Sequence, residues 1–231
     1  IASFFSIFKT ARSPPNHPPK TTICFFAARG ITIVLYIYHT PLPIHYLNDT
    51  PVSKYKNKAA LLRIDLNIKS EDTEDAYRLL WIIPTLLVLK RARVKTVMVS
   101  HRGRPSGPDA SLSLKTFAPL LAKKIGAQVA FIPDYDLKTI KEKCTRSKET
   151  FILLENLRFD PREETNDANF AKELAALGNI YINDAFAVSH RANASVSAVA
   201  KYLPSYAGML LEKEITHLDR AIKKYTSPLT L

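Results

Sequence analysis

The chain has 231 residues, 46% of them apolar, and a formal charge of +12 at neutral pH. That length allows one large domain or one and a half small ones, and the apolar share suits a globular core. Cys24 and Cys144 are its two cysteines; they support neither a disulfide framework nor a zinc site, and a reducing, cytoplasmic setting is the default.

Residues 1–55 differ from the rest. They hold seven of the fifteen prolines, and Lys9, Arg12, Lys20, Arg29 and Lys54 face a single acid, Asp49. A membrane span needs ~20 apolar residues, and Arg29-Gly30 interrupts the apolar stretch near its middle. The β-branched and aromatic run Ile31–Tyr38 predicts a strand instead. No small-residue cleavage site marks a signal peptide. This segment is expected to lie outside the domain that follows.

From about Asn57, strand and helix patterns alternate. Ala59–Ile64 reads as a buried strand ending in Asp65-Leu-Asn67. Glu71–Asp75 gives an acidic helix entry, and Tyr77–Leu89 a helix that Pro84 should kink or break. Thr96–Val99 is a strand running into Ser100-His-Arg-Gly-Arg-Pro105. Ser113 is placed to cap a helix that Gly126 stops. A strand at Gln128–Ile132, a helix at Leu137–Cys144 and a strand at Thr150–Leu154 follow. Asn166 is expected to cap a helix reaching Leu177, ahead of a strand at Ile180–Ile182. Ser195–Lys201 and Leu210–Lys224 read as helical, and Pro228–Leu231 as a strand beginning.

The alternation predicts an α/β fold, a parallel sheet sandwiched by helices in a Rossmann-like three-layer arrangement. Parallel strands send their C-terminal ends to one edge, where ligands bind in such sheets. Four polar clusters fall there: Asp65 with Asn67, His101 to Arg104, Asn156 with Arg158, and Asn183 with Asp184. Cations around a Gly103 turn favour an anionic partner, although Arg-Gly-Arg alone also fits a solvated loop. Neither G-x-x-x-x-G-K-[ST] nor G-x-G-x-x-G occurs, so a phosphate here would rest on side-chain cations and helix N-termini. No His, Cys and carboxylate spacing suggests a metal site. Ser189, Ser195 and Ser197 lie near His190 without a nucleophile elbow.

Taken in order, Arg63-Ile-Asp-Leu-Asn67, Ser100–Pro105, Leu153-Leu-Glu-Asn-Leu-Arg-Phe159 and Asn183–Ala192 resemble the phosphoglycerate kinase family. Tyr77-Arg78 through Pro84-Thr85 adds to the likeness, which covers residues 57–231. The resemblance implies the N-terminal domain of a two-domain kinase fold. Residues 56–205 would be the 3-phosphoglycerate-binding domain, 206–227 an interdomain helix, and 228–231 the start of a nucleotide-binding domain. It implies reversible phosphoryl transfer between 1,3-bisphosphoglycerate with ADP and 3-phosphoglycerate with ATP, in glycolysis. The Mg-ATP/ADP site is expected beyond Leu231, so this stretch should bind no cofactor and be inactive alone. The full-length enzyme would be a cytoplasmic monomer that binds neither nucleic acid nor membrane.

Residue by residue, the resemblance assigns the substrate to Asp65, Asn67, His101, Arg102, Gly103, Arg104, Arg158, His190 and Arg191. Arg78 matches the arginine placed nearest the transferring phosphoryl group. Each has a plainer reading as well: Arg78 as a helix-surface residue, Arg158 as a partner for Glu155 or Asp160. Arg102 stands where the family usually has leucine, which would add a cation beside the site. Leu80 replaces a common arginine, and Ala187-Val188-Ser189 the usual Gly-Thr-Ala. The loop from Asn67 to Arg78 is shorter than usual. Two other classes compete. A non-catalytic remnant or interaction module would keep the same fold, and a nucleic-acid binder would need stacking aromatics or a recognition motif that the basic clusters lack.

Overall fold

A computed structural model describes residues 21–28, 31–38, 44–49, 52–56, 58–68 and 77–223. The expected acidic entry at 71–75 and the strand at 228–231 lie outside these residues. β1 (Thr21–Ala28) and β2 (Ile31–Tyr38) form an antiparallel pair of their own. Next come β3 (Ala59–Arg63), α1 (Tyr77–Arg91), β4 (Lys95–Val99), α2 (Phe117–Ile125), β5 (Val129–Ile132) and α3 (Leu137–Arg146). β6 (Phe151–Leu154), α4 (Ala168–Ala175), β7 (Ile180–Asn183), β8 (Ser205–Ala207) and α5 (Met209–Lys223) complete the order.

β3 to β8 form one sheet in the order β5-β6-β4-β3-β7-β8, with every neighbouring pair parallel. Side chains alternate across it, as the two-residue period of a strand requires. Leu61, Val97, Val99, Ile152, Leu154 and Tyr181 share a core with α3 and α4 through Ile140, Cys144, Phe170 and Leu174. Ala60, Leu62, Met98, Leu153, Ile180 and Ile182 share the other with α1 and α2, through Ile82, Leu86, Leu89, Phe117 and Leu121. The strands are apolar on both faces because helices cover both. Three layers result, as the alternation predicts.

Several local expectations change. α1 runs unbroken across Pro84; burial of Leu79, Ile82, Leu86 and Leu89 against the sheet holds it together, at ~1.5–3 kcal/mol for each such side chain. Ser113 does not cap α2, whose N-cap position is Thr116. The Ser113 hydroxyl instead donates to Glu155 at 2.7 Å. Asp167, not Asn166, caps α4, its carboxylate accepting from the Phe170 N–H. Asn166 takes a positive φ of 57° and accepts from the Ala198 N–H. Residues 194–201 form a π turn and a 3-10 turn. Strand β8 had no sequence signal; its alternation is only three residues long.

The boundary expected at 55/56 cuts through packed structure. Leu47 and Tyr55 are buried in the α1/α2 core, and the Leu47 N–H donates to the Ala207 carbonyl. Tyr55 meets the Tyr206 ring edge-on at 5.5 Å. Residues 44–49 thus lie along β8, joined by a parallel bridge from Tyr46 to Ala207.

The start of α5 is tied to the sheet by Asp184. Its Oδ1 accepts from the N–H groups of Leu210 and Leu211, at 2.9 and 3.2 Å. The Met209 N–H donates to Thr85 Oγ1 on α1. A Cβ on Gly208 would collide with that carboxylate oxygen, so glycine lets the chain pass. Burial pushes the Asp184 carboxyl up to about 7, against the hydrogen bonds from Thr85, Leu211 and Leu210. A raised folded-state value means that this group's contribution to stability is full below ~3.9 and declines as pH climbs towards 7.

Leu47→Ala is expected to destabilise the chain by ~2–5 kcal/mol, the range for truncating a buried leucine. Urea unfolding measures this. A change of a few tenths would place residues 44–49 on the surface rather than in the core.

Candidate anion site

The C-terminal edge of the sheet is assembled around Arg63, the last residue of β3. Its side chain is 1% exposed, and every nitrogen of the guanidinium is used. Nε donates to Ser195 Oγ at 3.0 Å, and Nη2 to His101 Nδ1 at 2.7 Å. Nη1 donates to the Ile64 carbonyl and, at 3.4 Å, to Ser100 Oγ. The Ser195 hydroxyl donates to Glu163 Oε1 at 2.6 Å, and its N–H to Oε2 at 2.9 Å. Burial pushes the Glu163 carboxyl up, while Arg63 and the Ser195 bonds pull it down.

Ser100 joins the ends of β3 and β4. Its hydroxyl donates to the Ile64 carbonyl at 2.8 Å and accepts from the Leu66 N–H at 2.9 Å. Beyond it, the basic loop is stitched down by Asn156. That side chain accepts from the N–H groups of Arg102 and Arg158, both at 3.1 Å. It donates to the carbonyls of Arg102 and Leu112. Glu155 is buried beneath and accepts from Ser113 Oγ and the Leu114 N–H. The Glu155-Asn156 pair is therefore a scaffold for the loop. Gly103 turns with φ 64°, a conformation that favours glycine. Its N–H donates to Asn67 Oδ1, and its carbonyl accepts from Arg158 Nη1 at 2.5 Å.

Most of the residues singled out from the sequence meet here. Asn67 also donates its N–H to Asp65 Oδ1, and Arg78 lies 3.8 Å from Asp65 Oδ2. Arg158 is 5% exposed in its side chain and pairs with Glu164 at 3.1 Å, not with Glu155 or Asp160. Burial lowers its pKa, with Arg191 and Arg63 adding repulsion. His101 feels Arg63, Arg158 and Arg191 together. Among the described residues, no hydrogen bond or ion pair engages the guanidinium of Arg104 or Arg191. Arg104 is exposed, Arg191 half-buried and His190 exposed.

Two residues behave differently from the sequence reading. The Arg102 guanidinium donates to the carbonyls of Ile68, Ser111 and Ser113 and stacks over Phe117 at 5.3 Å. It fastens the loop to its neighbours. His101 is not one of the cations: burial first, then the three arginines, lower its pKa to about 2. Its Nε2 is buried without a protein partner. Asn183 and Asp184 are also scaffold, Asn183 bonding Ser189 and the Ala185 N–H.

The sequence does not mark Arg63, Glu163 or Ser195 as site residues. An arginine inside the apolar run Ala59-Ala-Leu-Leu-Arg-Ile64 was the available signal, since a charge in a buried strand requires partners. Nothing local marks Glu163 or Ser195; they reach Arg63 across 100 and 132 positions of sequence.

The arrangement gathers arginines around one neutral imidazole. A buried imidazole nitrogen without a partner, and the guanidinium groups of Arg104 and Arg191 without counter-ions among the described residues, suit a phosphorylated or carboxylate ligand. Among the described residues, no group of three or more His, Cys, Asp or Glu is placed to hold a metal ion.

Residues 48–231 match the family model described as phosphoglycerate kinase. The phosphoglycerate kinase of Wolbachia pipientis subsp. Culex pipiens (strain wPip) is 45% identical over 183 residues, covering 76% of this chain and 45% of its own. That of Coprothermobacter proteolyticus is 39% identical over 172 residues, covering 72% of this chain and 44% of its own. Among solved structures, phosphoglycerate kinase from Coxiella burnetii superposes with a TM-score of 0.69 at 32% identity, covering 80% of this chain and 47% of that one. The Pyrococcus horikoshii OT3 enzyme gives 0.70 at 30%, with the same coverage. The chain thus spans about half the length of the curated relatives it matches. With those motifs in order along one sheet edge, the chain belongs to the phosphoglycerate kinase family.

Proposed function

We propose that this chain is the acceptor half of a phosphoglycerate kinase, binding 3-phosphoglycerate or 1,3-bisphosphoglycerate at the C-terminal edge of the sheet. The observation that carries the reading is the buried, unpartnered Nε2 of His101 beside Arg158 and Arg191, the latter without a counter-ion among the described residues. An anion there gains charge-assisted hydrogen bonds and relieves repulsion among the arginines. Arg104, Arg158, Arg191 and His101 hold the phosphoglycerate, with Asp65 and Asn67 setting the loop position. His190 and Gly103 flank these groups. Arg102 contributes by fastening the loop.

Transfer to a carboxylate needs no general base, because the nucleophile is already ionised at neutral pH. Positioning and charge neutralisation are what the reaction demands. Arg78, half-exposed and 3.8 Å from Asp65, is proposed to stabilise the transferring phosphoryl group. The described residues do not form a magnesium–nucleotide site, and we derive no step through that group. The proposed division is a phosphoglycerate domain over 56–205, extended by the packing of Leu47 and Tyr55, and a connecting segment over 206–227 whose first two residues belong to β8 and whose helix is α5, Met209–Lys223. No helix among the described residues is long and apolar enough to cross a membrane; a cytoplasmic monomer is the proposed full-length state. None of the residues assigned to the anion is replaced, which weighs against a remnant that has lost the substrate.

Titration calorimetry with 3-phosphoglycerate should show Arg158→Ala weakening binding by ~1.5–3 kcal/mol, the range for a hydrogen bond to a charged group, roughly a 10- to 150-fold rise in Kd. Equal affinity in the two proteins would remove Arg158 from the site. The affinity should also fall as salt rises.

The 231-residue chain alone is expected to read as background in a coupled assay with ATP and 3-phosphoglycerate. Its matches cover less than half of the relatives' length, and closure over the substrate is what excludes water in such transfers. ATP-dependent turnover by this chain that Arg78→Ala abolishes would contradict the division of labour.

A further inference from the structure

We propose that Arg63 is a positioning residue that holds His101 in its Nε2–H tautomer, and that the Glu163–Ser195 pair holds Arg63. The phosphoglycerate reading supplies only the identity of the anion this proton would meet; the tautomer itself is a property of the free chain.

The chemistry is restrictive. Arginine carries donors and no acceptor, and it stays charged in proteins. Its Nη2 lies 2.7 Å from His101 Nδ1, so Nδ1 must be the acceptor and the single ring proton of the neutral imidazole must sit on Nε2. The charges acting on the ring are Arg63 from β3, Arg158 after β6 and Arg191 after β7. All are positive, and with burial they keep the ring neutral. A neutral ring with Nδ1 occupied has one donor left, and that atom is buried without a protein partner.

Arg63 keeps this aim because it is fixed at both ends. Ser195 Oγ accepts from its Nε, then donates to Glu163. Ser195 is itself held by Glu163 Oε2 at its N–H and by the Tyr181 hydroxyl at its carbonyl, 2.8 Å away. The remaining Nη1 is anchored on the carbonyl of the next residue, Ile64, and on Ser100. A guanidinium bound in this way cannot swing away from His101 without abandoning several buried partners. The cluster thus prepares a donor, rather than a cation, at the floor of a basic site.

Long-range proton–nitrogen NMR of the 231-residue chain, without ligand, reads the tautomer of His101 directly. The wild-type ring should show the proton on Nε2, with no titration between pH 5 and 8. Arg63→Met should release Nδ1 and give both tautomers, whereas Arg63→Lys should restore Nε2–H through its ammonium donor. A purely structural role would not separate lysine from methionine in this readout. Should Arg63→Met not fold, Ser195→Ala, which leaves the backbone bond to Glu163 possible, is expected to shift the ring nitrogens towards the averaged pattern. A wild-type proton on Nδ1, or an Nε2–H pattern unchanged in every variant that folds, would overturn the proposal. Because no ligand is present, a chain that shows the expected tautomer yet fails to bind 3-phosphoglycerate would refute the functional reading and leave this one standing.

Discussion

Arg63 sits at the end of the central strand with its side chain closed off from water, and a buried charge is tolerable only when its surroundings answer it. An unpaired one would carry a penalty of several kcal/mol, comparable to the whole stability of a small domain. The answer comes from distant parts of the chain: Ser100 and His101 after β4, Glu163 before α4, and Ser195 in the π turn. Each of those segments must be in place before the guanidinium is satisfied. The same bonds decide where the groups proposed to meet the ligand lie, since they fix the end of β4 from which the basic loop departs.

The loop itself is rigid for a different reason. Glu155 and Asn156 are buried under it and take up its backbone groups, and Arg102 pins its flank to residues 68, 111 and 113. Gly103 makes the turn and offers its N–H to Asn67 and its carbonyl to Arg158. Arg104 and Arg191 remain uncommitted among the described residues. Some arginines are therefore structural and others are available, although all carry the same charge. Burial and hydrogen-bond partners, not residue type, make the distinction.

The fold class was legible because strand and helix periods alternate cleanly and because glycine and capping residues mark many of the ends. The candidate site was legible as motifs at strand termini, and parallel topology gathers those motifs at one edge. What stayed hidden depends on contacts remote in sequence. Pro84 looked like a helix breaker, yet burial along α1 outweighs the lost hydrogen bond. Leu47 and Tyr55 looked like part of a foreign extension until β8, too short to recognise, gave them an edge and a core. The charge of His101 was not legible, because the charge state of a histidine is set by neighbours that the local sequence does not show. Arg102 looked like a ligand residue, and only geometry shows that backbone carbonyls hold it.

The central claim is that a phosphorylated acid binds at the C-terminal edge of this sheet, among the groups that Arg63 and Asn156 hold in place. Backbone amide shifts on titration with 3-phosphoglycerate map that contact directly. The account predicts saturable changes concentrated at Gly103, Arg104, Arg158 and Arg191, which follow β4, β6 and β7, and none at the N-terminal ends of those strands. Changes confined to the opposite edge, or a spectrum that does not move at millimolar ligand, would contradict it.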